Sequence, residues 1–349
     1  MFVYTTPTNV SLNGEETGES EEDPECFYVF TMSYHILSLI LIFLIICMNS
    51  FTIILILRKK YLRKPPGNHL LLSLSMNHLL AGISFLFHIL PDVYFKISGC
   101  REDNAKLQKS FIDISKVSYM LSKYCLLLSV AHLLALSTDR ICAIFFALRY
   151  DELITIRKIR LGIALVWLLT LILALFDIDW LFIDLDTSRE KVYTIVFTTI
   201  FAITPAVLLC IQYIVMLSLI HRLIQRSVTG MQRRQSMASE RKALIVYIVM
   251  YISFLIFSLP FFIMRLMVAF HPDIFLDTPE TVLHVLILFR FLTAFTDPML
   301  YIFYKKDFRR ALNETFGCVG AWRHHFHHSD LTEMSQFYSQ PSHTRHSHN

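Results

Sequence analysis

The chain reads as long apolar stretches separated by short charged segments, near residues 31–57, 67–91, 112–145, 160–183, 192–221, 241–270 and 281–304. A bilayer core of roughly 30 Å takes about 20 apolar residues of helix, and each stretch is long enough. None alternates polar and apolar positions as a barrel strand does. Backbone in lipid must satisfy its own hydrogen bonds, so the pattern predicts seven membrane-spanning helices in an all-α bundle. After Tyr304 the period changes. Phe308, Leu312 and Phe316 recur every four residues among Lys305, Lys306, Arg309 and Arg310, the spacing of a short amphipathic helix lying on a membrane face. The pattern divides the chain into an acidic disordered tail (1–29), the bundle (30–304), the amphipathic helix (305–318) and a disordered His- and Ser-rich tail (319–349).

Composition agrees with this reading. The chain is 54% hydrophobic with a mean hydropathy of +0.51, above the roughly 45–50% apolar content of water-soluble domains, which excludes an ordinary soluble globule. Charge supplies the orientation. Lys and Arg cluster after the first, third, fifth and seventh stretches, whereas the first thirty residues hold neither but carry Glu15, Glu16, Glu19, Glu21, Glu22, Asp23 and Glu25. The N-terminus is therefore expected outside and the C-terminus in the cytosol, with the first span acting as insertion signal. The net charge of +4 hides this polarity. The basic rim suits anionic lipid headgroups rather than nucleic acid. Asn9-Val10-Ser11 is a glycosylation sequon on the outer side, and Arg233-Arg234-Gln235-Ser236 fits a basophilic kinase site at Ser236.

Several activities find no support. The only Gly-x-x-x-Gly, from Gly14 to Gly18, lies in the acidic tail, and the internal repeats of transporters are absent, which counts against a transporter or channel. Neither His-Glu-x-x-His nor Gly-x-Ser-x-Gly occurs in the spans, so a membrane hydrolase is disfavoured too. The run His324-His325-Phe326-His327-His328 reads as disordered tail rather than as a metal site. An enzyme, a cofactor and a bound metal are not expected.

Six landmarks occur in order, one to a span: Asn49, Asp139-Arg140, Trp167, Pro205, Pro260 and Asp297-Pro298-Met299-Leu300-Tyr301. This set resembles the rhodopsin-like (class A) G-protein-coupled receptors over roughly residues 30–318. The resemblance implies a plasma-membrane receptor that activates a heterotrimeric G protein. It implies that Arg140, beside Asp139, reaches Glu240 at the start of span 6 in the resting state, and that Tyr213 and Tyr301 swing toward the arginine on activation. Arg140 and Ser122 are eighteen residues apart, five turns of one helix, so they share a face about 27 Å apart, and Ser129 falls close to it.

The departures from the family are equally informative. His78 stands where the family usually has Asp in span 2, and Asp297 replaces the usual Asn of span 7. Together they read either as a mid-membrane ion pair or hydrogen bond that removes sodium control, or as a neutral structural histidine near a carboxylate. Ser258 replaces the tryptophan two residues before Pro260, leaving Phe254, Phe257 or Phe261 as the trigger. Ser115 occupies the usual disulfide position of span 3, and the loop 177–192 holds no cysteine. Cys26 and Cys100, the two of seven cysteines expected on the extracellular side, are then the natural pair. Cys47, Cys125, Cys142 and Cys210 read as buried apolar fillers. Cys318 is either palmitoylated or a free cytosolic thiol.

Amine receptors of the family carry an Asp on helix 3, where this chain has Ser122 followed by Lys123, so a monoamine is not expected. Lys123, Arg265, His284 and Arg290 fall in the outer half and favour a carboxylate or phosphate, unless Lys123 and Arg265 reach to the headgroups and Arg290 pairs internally. A peptide is the leading ligand and an acidic lipid or metabolite the second. A constitutively active receptor is the third reading, because the sodium acid, the tryptophan and the loop disulfide are all replaced.

Overall fold

The computed structural model describes residues 31–98, 105–146, 149–175, 203–226, 231–271 and 278–316, together with isolated positions between 192 and 199 and residue 274. Among them every regular element is a helix. In chain order these are α1 (Met32–Arg58), α2 (Lys60–Arg63), α3 (Pro66–Ser98), α4 (Ala105–Phe145), α5 (Tyr150–Leu153), α6 (Ile156–Leu175), α7 (Thr204–Arg226), α8 (Met231–Phe270), α9 (Glu280–Tyr304) and α10 (Lys306–Phe316). The tails with Asn9, Cys26 and Cys318, and the segment holding Cys100, lie outside the described residues.

Six helices are long and apolar enough to cross a membrane, and α7 adds a shorter apolar stretch, Thr204–Ser218. Their most apolar windows differ in burial: 61% in α3 and α4 against 6% in α6. The first two helices are thus central and α6 sits on the rim. Helix α4 packs against α3, α6, α7 and α8, while α9 packs against α1, α3, α8 and α10. Large apolar side chains such as Phe43, Leu165, Leu168 and Ile214 face outward. Outward apolar surface is ordinary where lipid, not water, is the solvent.

The expected cysteine fillers need correction. Only Cys125 is buried; Cys142 is half-buried, and Cys47 and Cys210 are exposed. The outer surface of a lipid-facing bundle is as apolar as its core, so apolar residue type does not predict burial there. Cys210 Sγ and the Tyr251 hydroxyl share a hydrogen bond of 2.8 Å.

Two apolar clusters fill the bundle. One surrounds Leu71, Leu74, Leu136, Tyr247 and Met250 in the half that contains Arg140, and the other surrounds Ile45, Phe85, Leu128 and Phe291 in the opposite half. At the Arg140 end the extended backbone of Lys305 separates α9 from α10. The turn is fixed because Lys305 Nζ donates to Asn68 Oδ1 at 2.6 Å. Phe308 of α10 is fully buried against Tyr301, with ring centroids 5.4 Å apart. Phe316 is mostly exposed, yet its ring reaches Phe51 at 5.7 Å. Glu314 ties α10 to the start of α2, accepting from Lys59 Nζ (3.0 Å), the Tyr61 hydroxyl (3.1 Å) and Arg310 Nε (2.8 Å). Arg310 first, then Lys59, hold its carboxyl down at about 2.

Candidate functional site

The site has three levels, arranged along α4 and α9. At the end of α4, Asp139 and Arg140 form one unit. Arg140 Nη2 and Nε donate to Asp139 Oδ2 at 2.5 and 3.1 Å, and the Tyr150 hydroxyl of α5 donates to Oδ1 at 2.5 Å. Burial, followed by the bond to Asp139, pushes the Tyr150 phenol upward, so Tyr150 stays a neutral donor. The guanidinium lies 5.7 Å from the Tyr247 ring centre. Gly67, the second residue of α3, admits this unit. A Cβ there would meet Asp139 Oδ2 at 2.8 Å and Arg140 Nη2 at 3.0 Å.

Tyr213 and Tyr301, expected from the sequence to pack near Arg140, each have partners of their own. Tyr213 of α7 donates to the Tyr247 carbonyl of α8 at 2.8 Å. Tyr301 of α9 shares a 2.8 Å bond with Ser75 of α3. Glu240 and Ser236 lie on α8, with side chains outside the described residues. Ser137 donates to Gln212, and Gln212 Nε2 to Thr138 Oγ1 at 3.1 Å, which fastens α4 to α7 beside the arginine.

The middle level is polar. Asn49 donates to the carbonyls of Ile45 and Ala294, both at 2.9 Å, and so joins α1 to α9. Asn77 bonds the Cys125 carbonyl (2.9 Å) and Ser129 (2.8 Å) of α4. Trp167 Nε1 donates to Ser73 Oγ at 2.8 Å, and Ser73 also meets His132 Nε2 at 2.8 Å. His132 Nδ1 lies 2.7 Å from the Leu128 carbonyl, which assigns its proton to Nδ1 and makes Nε2 the acceptor from Ser73 in the neutral ring. His78 Nε2 stands 3.7 Å from Asp297 Oδ2, both groups being buried. That separation permits charge attraction but exceeds a direct hydrogen bond. Both His78 nitrogens, Asn49 Oδ1 and Asn77 Oδ1 lack a hydrogen-bond partner among the described residues.

In the far half, Arg290 of α9 is only 6% exposed and donates through Nη2 to Ser122 Oγ of α4. Its guanidinium lies 4.8 Å from the ring centre of Phe261 and 5.4 Å from that of Phe291. These groups border a cavity of about 30 Å³, with His88, Tyr119 and Ile287 also in its wall. Phe85 stacks on Phe291 at 4.1 Å and stiffens that wall. Lys123 is buried rather than reaching outward, with Nζ 5.3 Å from the Tyr119 ring centre. His284 stacks on Tyr34 of α1 at 4.0 Å, away from the cavity lining. The Arg265 side chain lies outside the described residues.

Among the helix landmarks, Pro260 and Pro298 lie inside α8 and α9, and Pro205 lies in the first described turn of α7. Ser258, in the place of a bulky switch, is fully buried, and Phe261 is the candidate trigger that reaches the cavity. The cavity partners Tyr119 and Ile287 are missing from the residues singled out by sequence. Tyr119 with Ser122, and Ile287 with Arg290, are each spaced by three, and that helical spacing is the signal that finds them.

The comparisons with known proteins agree with this architecture. The trace amine-associated receptor 1 of Pan troglodytes is 29% identical over 212 residues, covering 53% of this chain and 61% of that protein, so the match spans about six tenths of the relative's length. The family described as 7 transmembrane receptor (rhodopsin family) matches residues 48–301, from within α1 through Tyr301 near the end of α9. With most of its length in that match and its helices long and apolar enough to span, this chain is a multi-pass membrane protein and belongs to the rhodopsin family of seven-transmembrane receptors.

Proposed function

We propose that this chain is a plasma-membrane receptor, with its N-terminus outside, that binds an extracellular ligand in its Arg290 half and activates heterotrimeric G proteins from its Arg140 end. The observation that carries the reading is the closed Asp139–Arg140–Tyr150 unit, packed on Gly67 at the end of a central helix. A buried charged pair held by a neighbouring loop is a two-state device. It stays shut while its bonds persist, and it offers a cation and a groove once they break. Tyr213 and Tyr301, each bonded elsewhere, suit the closed form. Glu240 remains the proposed partner of Arg140 on α8.

A peptide is the first ligand class, because the outer segments are charged, and an acidic lipid or metabolite is the second. Cys26 and Cys100 are proposed to pair over the mouth, Asn9 to carry a glycan, Ser236 to accept phosphate and Cys318 to carry palmitate. The similar receptor is named for trace amines, which makes an amine a further reading. A buried guanidinium bonded to Ser122 disfavours an ammonium at that point by like-charge repulsion.

The test is agonist-free G-protein activation in cells expressing the wild type or Arg140→Ala at matched surface level, across the main G-protein classes. A signal lost with the substitution supports the reading and identifies the transducer. A wild-type signal that persists undiminished in Arg140→Ala overturns the assigned role of the arginine.

A further inference from the structure

We infer that Tyr150 is a phosphorylation site gated by conformation: a cytosolic tyrosine kinase modifies its hydroxyl only while the Asp139–Arg140 unit is open, and the phosphate then keeps the unit from closing. The inference deepens the receptor reading by naming a regulation of its coupling end. It rests on that reading for the cytosolic placement of α5 and for any effect on G proteins.

Tyr150 opens α5, a single turn between α4 and α6, and is half-buried. Its hydroxyl donates to Asp139 Oδ1 at 2.5 Å. A kinase must enclose the ring and bring the hydroxyl in line with the γ-phosphate of its nucleotide. No such approach exists while that oxygen is seated on Asp139, itself only 4% exposed. The turn that carries the ring is weak. It has four residues and no side-chain cap at Arg149, against the roughly 12–15 residues that an isolated helix needs. Its backbone bonds run from Glu152 and Leu153 to the Arg149 carbonyl and from Ile154 to that of Tyr150, with Lys158 Nζ on the Leu153 carbonyl. Loss of the bond to Asp139 therefore frees the ring at little further cost. Asp151 and Glu152 follow directly, and Glu152 is exposed, which suits an enzyme with a basic substrate cleft. Tyr61 and Tyr304 at the same end stand instead beside Lys60 and Lys305.

In the transfer, Tyr150 Oη bonds to the γ-phosphorus of ATP as the bond from that phosphorus to the β-phosphate oxygen breaks. ADP leaves, and the hydroxyl proton passes to the general base of the kinase. The proton that joined Tyr150 to Asp139 is thereby lost. In its place stands a group of charge about −1.5 to −2, whose oxygens face a carboxylate that also only accepts. Two acceptors cannot share the former 2.5 Å contact, so the ring does not reseat. Arg149, exposed beside it, is at hand for the phosphate on the solvent side. A modification that the open form alone accepts, and that bars the closed form, stores the open state.

The experiment uses the purified full-length receptor in lipid nanodiscs with an active tyrosine kinase domain of broad specificity and MgATP, and follows phosphate at Tyr150 by peptide mass spectrometry. Rates are compared in wild type, Asp139→Ala, Gly67→Ala and Gly82→Ala, with Tyr150→Phe confirming the site. Asp139→Ala removes the acceptor outright and should speed the modification by about ten- to a hundredfold, as expected for loss of a charged hydrogen bond. Gly67→Ala should act in the same direction, whereas Gly82→Ala, whose Cβ would meet Ile45, should keep the wild-type rate. Melting of each variant reports folding separately, and Gly67→Ala carries the comparison if Asp139→Ala does not melt cooperatively. At one fixed pH, the amides of Glu152, Leu153 and Ile154 should exchange faster in the phosphorylated wild type than in the unmodified protein.

No phosphate at Tyr150 in the opened variants overturns the proposal, as do equal rates in wild type and those variants, or an equal acceleration in Gly82→Ala. Undiminished amide protection after phosphorylation overturns the hold on the open form. G-protein activation with and without Arg140→Ala separates the two readings. State-dependent phosphorylation without any Arg140-dependent signal sinks the receptor function and leaves the tyrosine site standing. Arg140-dependent signalling with no difference in phosphorylation sinks the site alone.

Discussion

Gly67→Ala tests whether the Asp139–Arg140 unit is the closed state of a switch. The added methyl would lie 2.8 Å from Asp139 Oδ2 and 3.0 Å from Arg140 Nη2. To regain an ordinary contact of 3.4 Å, the carboxylate must retreat by about 0.6 Å. That oxygen is not a loose chain end, because Arg140 grips it through two nitrogens and Tyr150 holds its sister oxygen at 2.5 Å. Two effects of the methyl oppose each other. Alanine improves helix propensity by at most about 1 kcal/mol in a helix interior, and by less in the first turn, where Gly67 sits. Overpacking a tight contact costs about 1–3 kcal/mol. Strain therefore wins, and it falls on the closed form alone if the open form parts the pair. A shift of that size changes the open fraction by about 5- to 150-fold. The expected result is raised agonist-free G-protein activation at matched surface level. Gly82→Ala is the control, because its Cβ meets Ile45 Cγ2 at 3.0 Å, far from the arginine in chemistry and function. It should lower melting temperature without raising basal signal. Wild-type basal activity in Gly67→Ala, or an equal rise in Gly82→Ala, would refute the switch.

The mid-membrane pair predicts that Asp297→Asn and His78→Asp each shift basal signalling, since removing one member of a buried pair strands the other at roughly 3–5 kcal/mol. Equal basal activity in wild type and both variants would sink the pairing. Glu314 predicts a pH effect at α10. Its carboxyl, held at about 2 against a usual 4.5, contributes docking that is complete above 4.5 and is lost as pH falls through 2. Protection of the α10 amides, corrected for the intrinsic exchange rate at each pH, should thus fall between pH 4.5 and 2 in the wild type, and Glu314→Gln should be less protected at neutral pH with little further loss in acid; a loss of protection in acid that survives the substitution would clear Glu314 of the role.

The spans were legible because lipid imposes a length on apolar runs. The run 31–57 emerges as α1 at Met32–Arg58, and 281–304 as α9 at Glu280–Tyr304. Helix α8 begins at Met231, ten residues before its apolar stretch at 241, because good helix formers continue the helix beyond the point where hydropathy stops marking it. Arg140 with Asp139 was legible as an adjacent pair. Gly67 and Tyr150 were not, since their contacts depend on where three separate elements cross. His284 shows what rotation around a helix decides. Six residues separate it from Arg290, about 600° of turn, which leaves the two side chains on different faces. Arg290 meets Ser122 while His284 meets Tyr34 of α1. The 3.7 Å gap between His78 and Asp297 likewise depends on packing, although their adjacency follows from the motif.

The three levels share two helices, and this gives the receptor a physical route between its ends. Helix α9 carries Arg290, Asp297 and Tyr301, and α4 carries Ser122, Ser129 and Arg140. A displacement of Arg290 must act on the contact between these helices, because the Ser122 bond spans it. The displacement then meets the middle level, where His78, Asn77 and Asn49 present buried polar atoms without hydrogen-bond partners among the described residues. Such a layer resists rearrangement less than the apolar clusters above and below it, since a new pairing gains hydrogen bonds while a shifted apolar core loses contacts. Pro298, one residue beyond Asp297, removes a backbone bond from α9 at the same level. The yielding layer and the helix weak point therefore coincide, one turn from Tyr301. The Tyr301–Ser75 bond is the first contact that a bend there would break, and it stands on the Arg140 side of the molecule.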